Sequence, residues 1–205
     1  MVNISAPFGF RQFRRLDGGA PTAGFDTLTI ASSDTNVIGT GDVVATSATG
    51  PYVTVLSSGL SQIRGVFFGC EFFSPTVGRK VWSPFFPGSV ATTSGTNDAQ
   101  AWVCTDPEML YTVQCSTNAT VTSSQINLNF GVSSGTFGGA NTTTGVSAMT
   151  LASTSFATTA TLPWRLYDLY SNWAPPGVNG TDNTSAGNIV IVTPNNFDRT
   201  NTTGI

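Results

Sequence analysis

The feature that most constrains the fold is a series of ten short apolar or alternating runs, separated by segments rich in Gly, Pro, Asn, Asp, Ser and Thr. Runs of this length, with aromatic and β-branched residues, predict β-strands joined by turns and loops. The predicted strands are residues 27–31, 41–46, 51–56, 63–73, 99–104, 109–115, 125–130, 147–154, 162–170 and 188–193. Such a series predicts an all-β fold, a single β-barrel or β-sandwich.

The composition agrees with a β fold. Only 9% of the 205 residues are charged, with one Lys and two Glu. Exposed helices usually carry many of these residues, so their near absence argues against a helical protein. Neither an internal repeat nor a linker divides the rest of the chain. We therefore predict one β-rich body domain, residues 25–205, preceded by an extended N-terminal arm, residues 1–24.

Several local patterns give finer predictions. In the predicted strand 63–73, alternation places Val66, Phe68, Cys70 and Phe72 on the core face. Residues 99–104 and 109–115 are predicted to pair as a hairpin through the intervening turn "TDPE". The two prolines within residues 79–88 predict an extended loop. Residues 162–170 also fit a short helix, but their aromatic content favours a strand.

The sequence offers few groups for catalysis or metal binding. It contains no His, which excludes Ser-His-Asp triads and His-containing zinc sites. Asp106 and Glu108 flank Pro107 and are interpreted as turn residues. The Asn-rich segment 179–188 has one carboxylate, too few for a strong Ca²⁺ loop. We therefore expect no enzymatic activity, no metal and no cofactor.

The cysteines and the apolar runs indicate the compartment. An odd number of cysteines, Cys70, Cys104 and Cys115, predicts buried free thiols in a reducing environment. No run approaches the length of a membrane span, and the N-terminus has no apolar signal region. We expect no membrane association.

The predicted arm concentrates cationic and aromatic residues, namely Phe8, Phe10, Arg11, Phe13, Arg14 and Arg15. Its Gly and Pro residues prevent a helix or a long strand. A net charge of −3 argues against a nucleic-acid arm. The arm is interpreted as an anchor on another protein, and its deletion (residues 2–16) is expected to leave the body folded. The alternative, an arm folded back on its own body, stays open.

A second group of aromatic residues lies in segments that also contain prolines. Its members Trp82, Phe85, Phe86 and Trp173 are candidate interface residues. Few Lys or Arg residues accompany them, as expected of a protein interface and not of a stacking surface for nucleic acid.

The sequence resembles the decoration, or cement, proteins of tailed-bacteriophage heads. The resemblance is carried by ordered segments that span nearly the whole chain: "APFGFRQFRRLDGG", "GTGDVVATSATGPYVTV", "IRGVFFGCEFFSPTVGRKVWSPFFPG", "AWVCTDPEMLYTVQC", "ATTATLPWRLYDLY" and "NIVIVTPNNFDRTNTTGI". Gln12 stands where the family is expected to have Pro.

The resemblance implies a structural protein of the virion. Such a protein is made in the host cytoplasm, binds assembled major capsid protein on the outside of the head and bridges capsomers. Neighbouring copies of itself, as a dimer or a trimer, are implied partners. Two alternatives stay open: another virion component, such as a head-fibre base, neck or tail protein, and a carbohydrate-binding β-sandwich.

Overall fold

A computed structural model describes residues 3–21, 24–59, 62–89, 98–133, 136–171 and 181–200. The described residues form fourteen β-strands and one turn of 3-10 helix, Ser123–Gln125. In chain order, the strands are β1 (Arg11–Arg15), β2 (Asp26–Ile30), β3 (Ile38–Gly39), β4 (Val43–Thr46), β5 (Val53–Val55), β6 (Gly65–Ser74), β7 (Arg79–Ser83), β8 (Phe85–Phe86), β9 (Ala99–Cys104), β10 (Met109–Gln114), β11 (Asn129–Val132), β12 (Leu151–Ala157), β13 (Trp164–Leu169) and β14 (Ile189–Pro194).

The first sheet has six antiparallel strands in the order β1-β10-β14-β13-β11-β12. β1, from the predicted arm, therefore forms one edge of this sheet. A parallel bridge between Cys115, just after β10, and Leu151 brings the far strand β12 back to β10. The first sheet is consequently strongly curled.

The second sheet has the order β2-β9-β6-β4-β5, with β7 paired to the far end of β6. A parallel bridge joins Thr29 of β2 to Tyr52, beside β5, so this sheet also curls towards closure. β3 and β8 form a small two-stranded sheet. The predicted strands 41–46 and 51–56 contain β4 and β5, which pair with each other as a hairpin.

One hydrophobic core joins the two large sheets. Val66 and Val103 contribute to it from the second sheet, and Tyr111 and Trp164 from the first. The predicted all-β fold, with sheets packed together, is confirmed. The cysteines are free and buried, as predicted.

A buried carboxylate lies where β3 and β4 meet the segment before β12. Asp42 is completely buried, and its Oδ2 accepts a 2.7 Å hydrogen bond from the Gly39 N–H. The Ser147 hydroxyl donates to Oδ1 at 2.5 Å. Burial raises the pKa of Asp42 to about 6, because two hydrogen bonds do not replace the solvation of its charged form.

One predicted strand pairing and one predicted strand face are wrong. Residues 99–104 and 109–115 do not form a hairpin: β9 belongs to the second sheet and β10 to the first. The "TDPE" segment is instead the crossing between the sheets. Phe68 is 47% exposed, whereas Phe67 is 1% exposed, because a register shift between Phe67 and Gly69 turns the strand by one residue.

Two predicted element boundaries are also wrong. Only the end of the predicted strand 125–130 is extended, since the 3-10 helix ends at Gln125 and Asn127 has a positive φ of 72°. The predicted loop 79–88 contains β7 and β8, with Pro84 at the break between them. A proline between two strands is compatible with pairing on either side, and β7 bonds to β6 while β8 bonds to β3.

Candidate interaction surface

The beginning of the chain is attached to the body by hydrogen bonds. The Asn3 amide nitrogen donates to the carbonyl oxygens of Asp182, Ser185 and Ala186 at 2.9–3.2 Å. The Asp182 N–H donates to the Asn3 side-chain oxygen at 2.9 Å. The Asn3 side chain thus bonds to the turn at residues 182–186, which belongs to the Asn-rich segment 179–188. The described part of the arm lies on the body, the alternative that the sequence left open.

Asp182 organises the same turn from within. Its carboxylate accepts bonds from the backbone N–H and the hydroxyl of Thr184 at 2.9 and 2.6 Å, and from the Ser185 hydroxyl at 2.9 Å. These hydrogen bonds, with the Thr184 hydroxyl as the largest cause, lower the pKa of Asp182 well below its ordinary value. The segment is built as a hydrogen-bonded turn that receives Asn3.

Phe10 is a core residue and not an exposed contact residue of the arm. It is 2% exposed and stacks on Trp164 with ring centroids 4.5 Å apart. Its N–H donates to the Gly41 carbonyl oxygen at 2.8 Å. Gly9 makes this possible with a φ of +71°, and a Cβ there would lie 2.6 Å from the Gly41 oxygen. The prediction that Phe10 contacts a partner is therefore corrected, since no exposed ring is left for it.

Arg15 is likewise engaged within the chain. Its Nη2 lies 2.7 Å from Glu108 Oε2 and its Nη1 lies 3.2 Å from Asp106 Oδ2. Asp17 Oδ2 lies 3.6 Å from its Nε. These carboxylates raise the pKa of Arg15, with the hydrogen bond to Glu108 as the largest cause. The predicted turn acids therefore fix β1 to the crossing between the sheets, and Arg15 is not the free cation that the anchor interpretation assumed.

The other predicted arm residues remain accessible. We call Phe8, Arg11, Phe13 and Arg14 the arm surface. The Arg11 guanidinium lies over the half-buried Phe8 ring, 4.8 Å from its centroid, and Arg14 lies 5.8 Å from that of Phe13. Among the described residues, neither arginine has an ion-pair partner. Phe13 is 38% exposed.

Clefts flank Arg11 on two sides. A cleft of about 590 Å³ separates it from the loop that contains Asn141 and Thr144. A second, of about 370 Å³, lies between β1 and β6 and is lined by Phe25 and Phe68. These two rings stack with centroids 4.6 Å apart. Strict alternation had placed Phe68 in the core. The contrary signal was "GVFFG", in which two adjacent aromatic residues cannot both face inward.

The members of the second predicted aromatic group differ in their exposure. Trp82 is 57% exposed on β7, as an interface residue requires, and its indole covers Gly69. Phe85 is half-buried. Phe86 is completely buried in the core, so its prediction as an interface residue is corrected. Trp173 lies outside the described residues.

The described residues contain no group of three or more His, Cys, Asp and Glu side chains placed to hold a metal ion. They also contain no helix long and apolar enough to cross a membrane. Comparison of the chain with protein-family models, curated proteins and solved structures finds no match.

Proposed function

We propose that the protein is a structural component of a tailed-bacteriophage head, a decoration protein that binds assembled major capsid protein on the outer surface and bridges capsomers. Two observations support the proposal. The resemblance to such proteins runs in order along nearly the whole chain. The all-β body also presents a fixed surface that combines exposed cations and aromatic rings.

The arm surface is the observation that carries the proposal. Arg11 and Arg14 are exposed cations without ion-pair partners in the described part of a chain whose net charge is −3. Phe10 and Arg15 hold the strand between them in one conformation. A partner therefore meets a preorganised pair of guanidinium groups, and binding costs little ordering of the arm. Carboxylates of the capsid protein are the complementary groups.

β1 also offers backbone groups to a partner. It is the edge strand of the first sheet and pairs with β10 on one side. The backbone N–H and C=O of Arg15 already bond to Gly19 and Gly18, so an extended segment of a capsid subunit can add a short strand only along residues 11–14. Each contact can be weak, because a shell with many equivalent sites adds the contacts of copies that also bind one another.

The test is cosedimentation with purified heads that lack the protein. The double variant Arg11→Glu and Arg14→Glu should lose binding by at least about tenfold, since two charge-assisted contacts become repulsive. The control is Arg79→Glu with Lys80→Glu on β7, which changes the net charge equally but also breaks the exposed Lys80–Glu71 ion pair. The control should lose less binding than the arm variant, and any loss that it shows would indicate a contribution from the surface around the exposed Trp82.

Equal binding by both double variants would contradict the assignment of the arm surface. If the unmodified protein sediments with isolated tails or necks and not with heads, the protein is a different virion component. Sedimentation velocity of the free protein tests the expected dimer or trimer separately. Deletion of residues 2–16 is a poor test, because it also removes Phe10 from the core.

A further inference from the structure

The larger of the two clefts beside Arg11 has walls from two distant parts of the chain. Its volume of about 590 Å³ lies within the range of ligand sites. One wall is the arm, with Phe8 and Arg11, and the other consists of residues of the loop 139–148. Among the described residues that line this cleft, only Arg11 is charged. A partner that enters the cleft therefore meets one cation between two uncharged walls.

Both walls are attached to the same short segment, Thr40 and Gly41. The Phe10 N–H donates to the Gly41 carbonyl oxygen at 2.8 Å, which fixes the arm. The Thr40 N–H donates to the Gly145 carbonyl oxygen at 2.8 Å, and the Ser147 N–H donates to the Thr40 carbonyl oxygen at 3.0 Å. These two bonds fix the loop. Because adjacent residues hold both walls, the cleft is preformed and binding requires little ordering of the protein.

Arg11 is held at this cleft without an ion-pair partner in the part of the chain that the structure describes. Its guanidinium lies 4.8 Å from the centroid of the Phe8 ring, and both side chains line the cleft. Asp42, which accepts a bond from the cleft residue Ser147, is completely buried and does not neutralise Arg11. A guanidinium that rests on an aromatic ring keeps N–H groups for a carboxylate.

Asn141 supplies a second polar group from the loop wall. Its Oδ1 accepts the N–H groups of Thr143 and Thr144 at 2.9 and 3.1 Å, so the amide oxygen is used within the turn. Its Nδ2 donates to no other residue of the described ranges. The side chain is exposed and lines the cleft. Both walls therefore offer N–H donors, which suits an acidic ligand.

We propose that this cleft binds an acidic segment of the partner protein, with an Asp or Glu carboxylate on Arg11 and with Asn141 donating to the same segment. The proposal rests on the proposed function, because the capsid protein supplies the segment. One guanidinium matches the single charge of a carboxylate, and the net charge of −3 disfavours a polyanion such as nucleic acid. Asn141 thereby determines specificity, and Arg11 contributes more to binding than Arg14, which does not line the cleft.

The first test needs no capsid heads. It is a ¹⁵N NMR titration of the whole protein with the capped peptide acetyl-Thr-Glu-Thr-amide. The signals of the Arg11 Nε–H and of the Asn141 side-chain amide should shift together, with a millimolar Kd. The peptide acetyl-Thr-Gln-Thr-amide has nearly the same shape without the charge and should bind about threefold more weakly, as expected of an exposed ion pair. Equal affinities for the two peptides, or no shift at Asn141, would overturn the proposal.

The second test is cosedimentation with heads. Asn141→Asp keeps the oxygen that accepts the Thr143 and Thr144 N–H groups, but it replaces the donor with a carboxylate in the cleft that contains Arg11. Head binding should weaken about tenfold, because the new carboxylate attracts Arg11 and repels that of the partner. The matched control is Asn118→Asp, which changes the net charge equally on an exposed turn beside a different cleft. The control should weaken binding less than about twofold.

The two tests distinguish failure of the cleft from failure of the proposed function. Equal head binding by Asn141→Asp and Asn118→Asp would overturn the assignment of the cleft, whereas the capsid-binding function would stand. If the unmodified protein does not bind heads and yet shows the peptide shifts, the proposed function fails and the cleft is a site for acidic segments of another protein.

Discussion

Replacement of Phe10 by Ala tests whether the beginning of the chain belongs to the body. Phe10 is 2% exposed and stacks on Trp164, whose other contacts include an edge-to-face arrangement with Tyr111 at 5.3 Å. A buried Phe ring removes on the order of 150 Å² from water, which at about 25 cal/mol per Å² corresponds to roughly 4 kcal/mol. Measured Phe→Ala changes in protein cores cost about 3–5 kcal/mol, in agreement.

We therefore expect Phe10→Ala to lower the free energy of unfolding by about 4 kcal/mol. The native state of a domain is usually stable by about 5–15 kcal/mol, so the loss is a large share of the total. Equilibrium unfolding in urea, followed by tryptophan fluorescence, measures it. Trp164 is a reporter in direct contact with the substituted residue. An unchanged m-value would show that the loss is one of stability and not of compactness.

Phe13→Ala is the matched control on the same strand. Its ring is 38% exposed and contacts Tyr170 edge to face at a centroid distance of 6.1 Å. We expect this variant to lose about 1 kcal/mol or less, as exposed positions generally do. If the free energies of unfolding of the two variants differ by less than about 1 kcal/mol, Phe10 does not contribute to the core and the arm is not packed on the body through it.

Three further predictions concern the rest of the molecule. Burial raises the pKa of Asp42 from 3.8 to about 6, so the folded protein holds a proton that the unfolded chain releases between these values. The stability that this proton gives is complete below about pH 4 and falls by about 3 kcal/mol as the pH rises through 6. Urea unfolding at several pH values should show this fall in the unmodified protein. A similar fall in Asp42→Asn would show that Asp42 is not its cause. Gly9→Ala places a Cβ against the Gly41 oxygen at a φ of +71° and should lower the free energy of unfolding by at least about 2 kcal/mol. Gly18→Ala, at a φ of +85° in open space, should lower it by about 1 kcal/mol. Equal urea midpoints for the two variants would argue against the close approach of Gly9 to the Gly41 oxygen. The buried thiols, among which burial raises the pKa of Cys70 to about 12, should resist a thiol-specific disulfide reagent in native buffer and react in guanidinium; rapid reaction of one equivalent in native buffer would contradict their burial.

The sequence was a sound guide wherever a structure depends on residues close together in the chain. The β4–β5 hairpin joins two apolar runs across a short polar turn, and β14 contains the continuous apolar run 189–192. Both were predictable, because alternation, β-branched residues and turn residues act locally. The free and buried state of the three cysteines was also predicted, from their odd number.

Patterns within one segment did not predict which strands pair when segments far apart in the chain can pair with the same strand. Residues 99–104 and 109–115 look like a hairpin because a proline turn joins them, yet β9 has better partners in β2 and β6. A one-residue register shift then buries Phe67 and exposes Phe68, the reverse of what alternation predicts. Alternation gives only two faces and cannot indicate where the register shifts, since the shift is imposed by the neighbouring strand.

For the candidate interaction surface too, the sequence determined which residues are present and the tertiary structure determined which are exposed. The sequence by itself determined that cations and phenylalanines would be concentrated near the N-terminus, and that the chain would form an all-β body with few charged groups. Only the tertiary structure decided which of them are available: Phe10 is taken by Trp164 and Arg15 by Asp106 and Glu108, which leaves Arg11, Phe13 and Arg14 exposed. Exposure and pairing depend on contacts between residues far apart in the sequence, and these contacts are fixed only when the sheets pack.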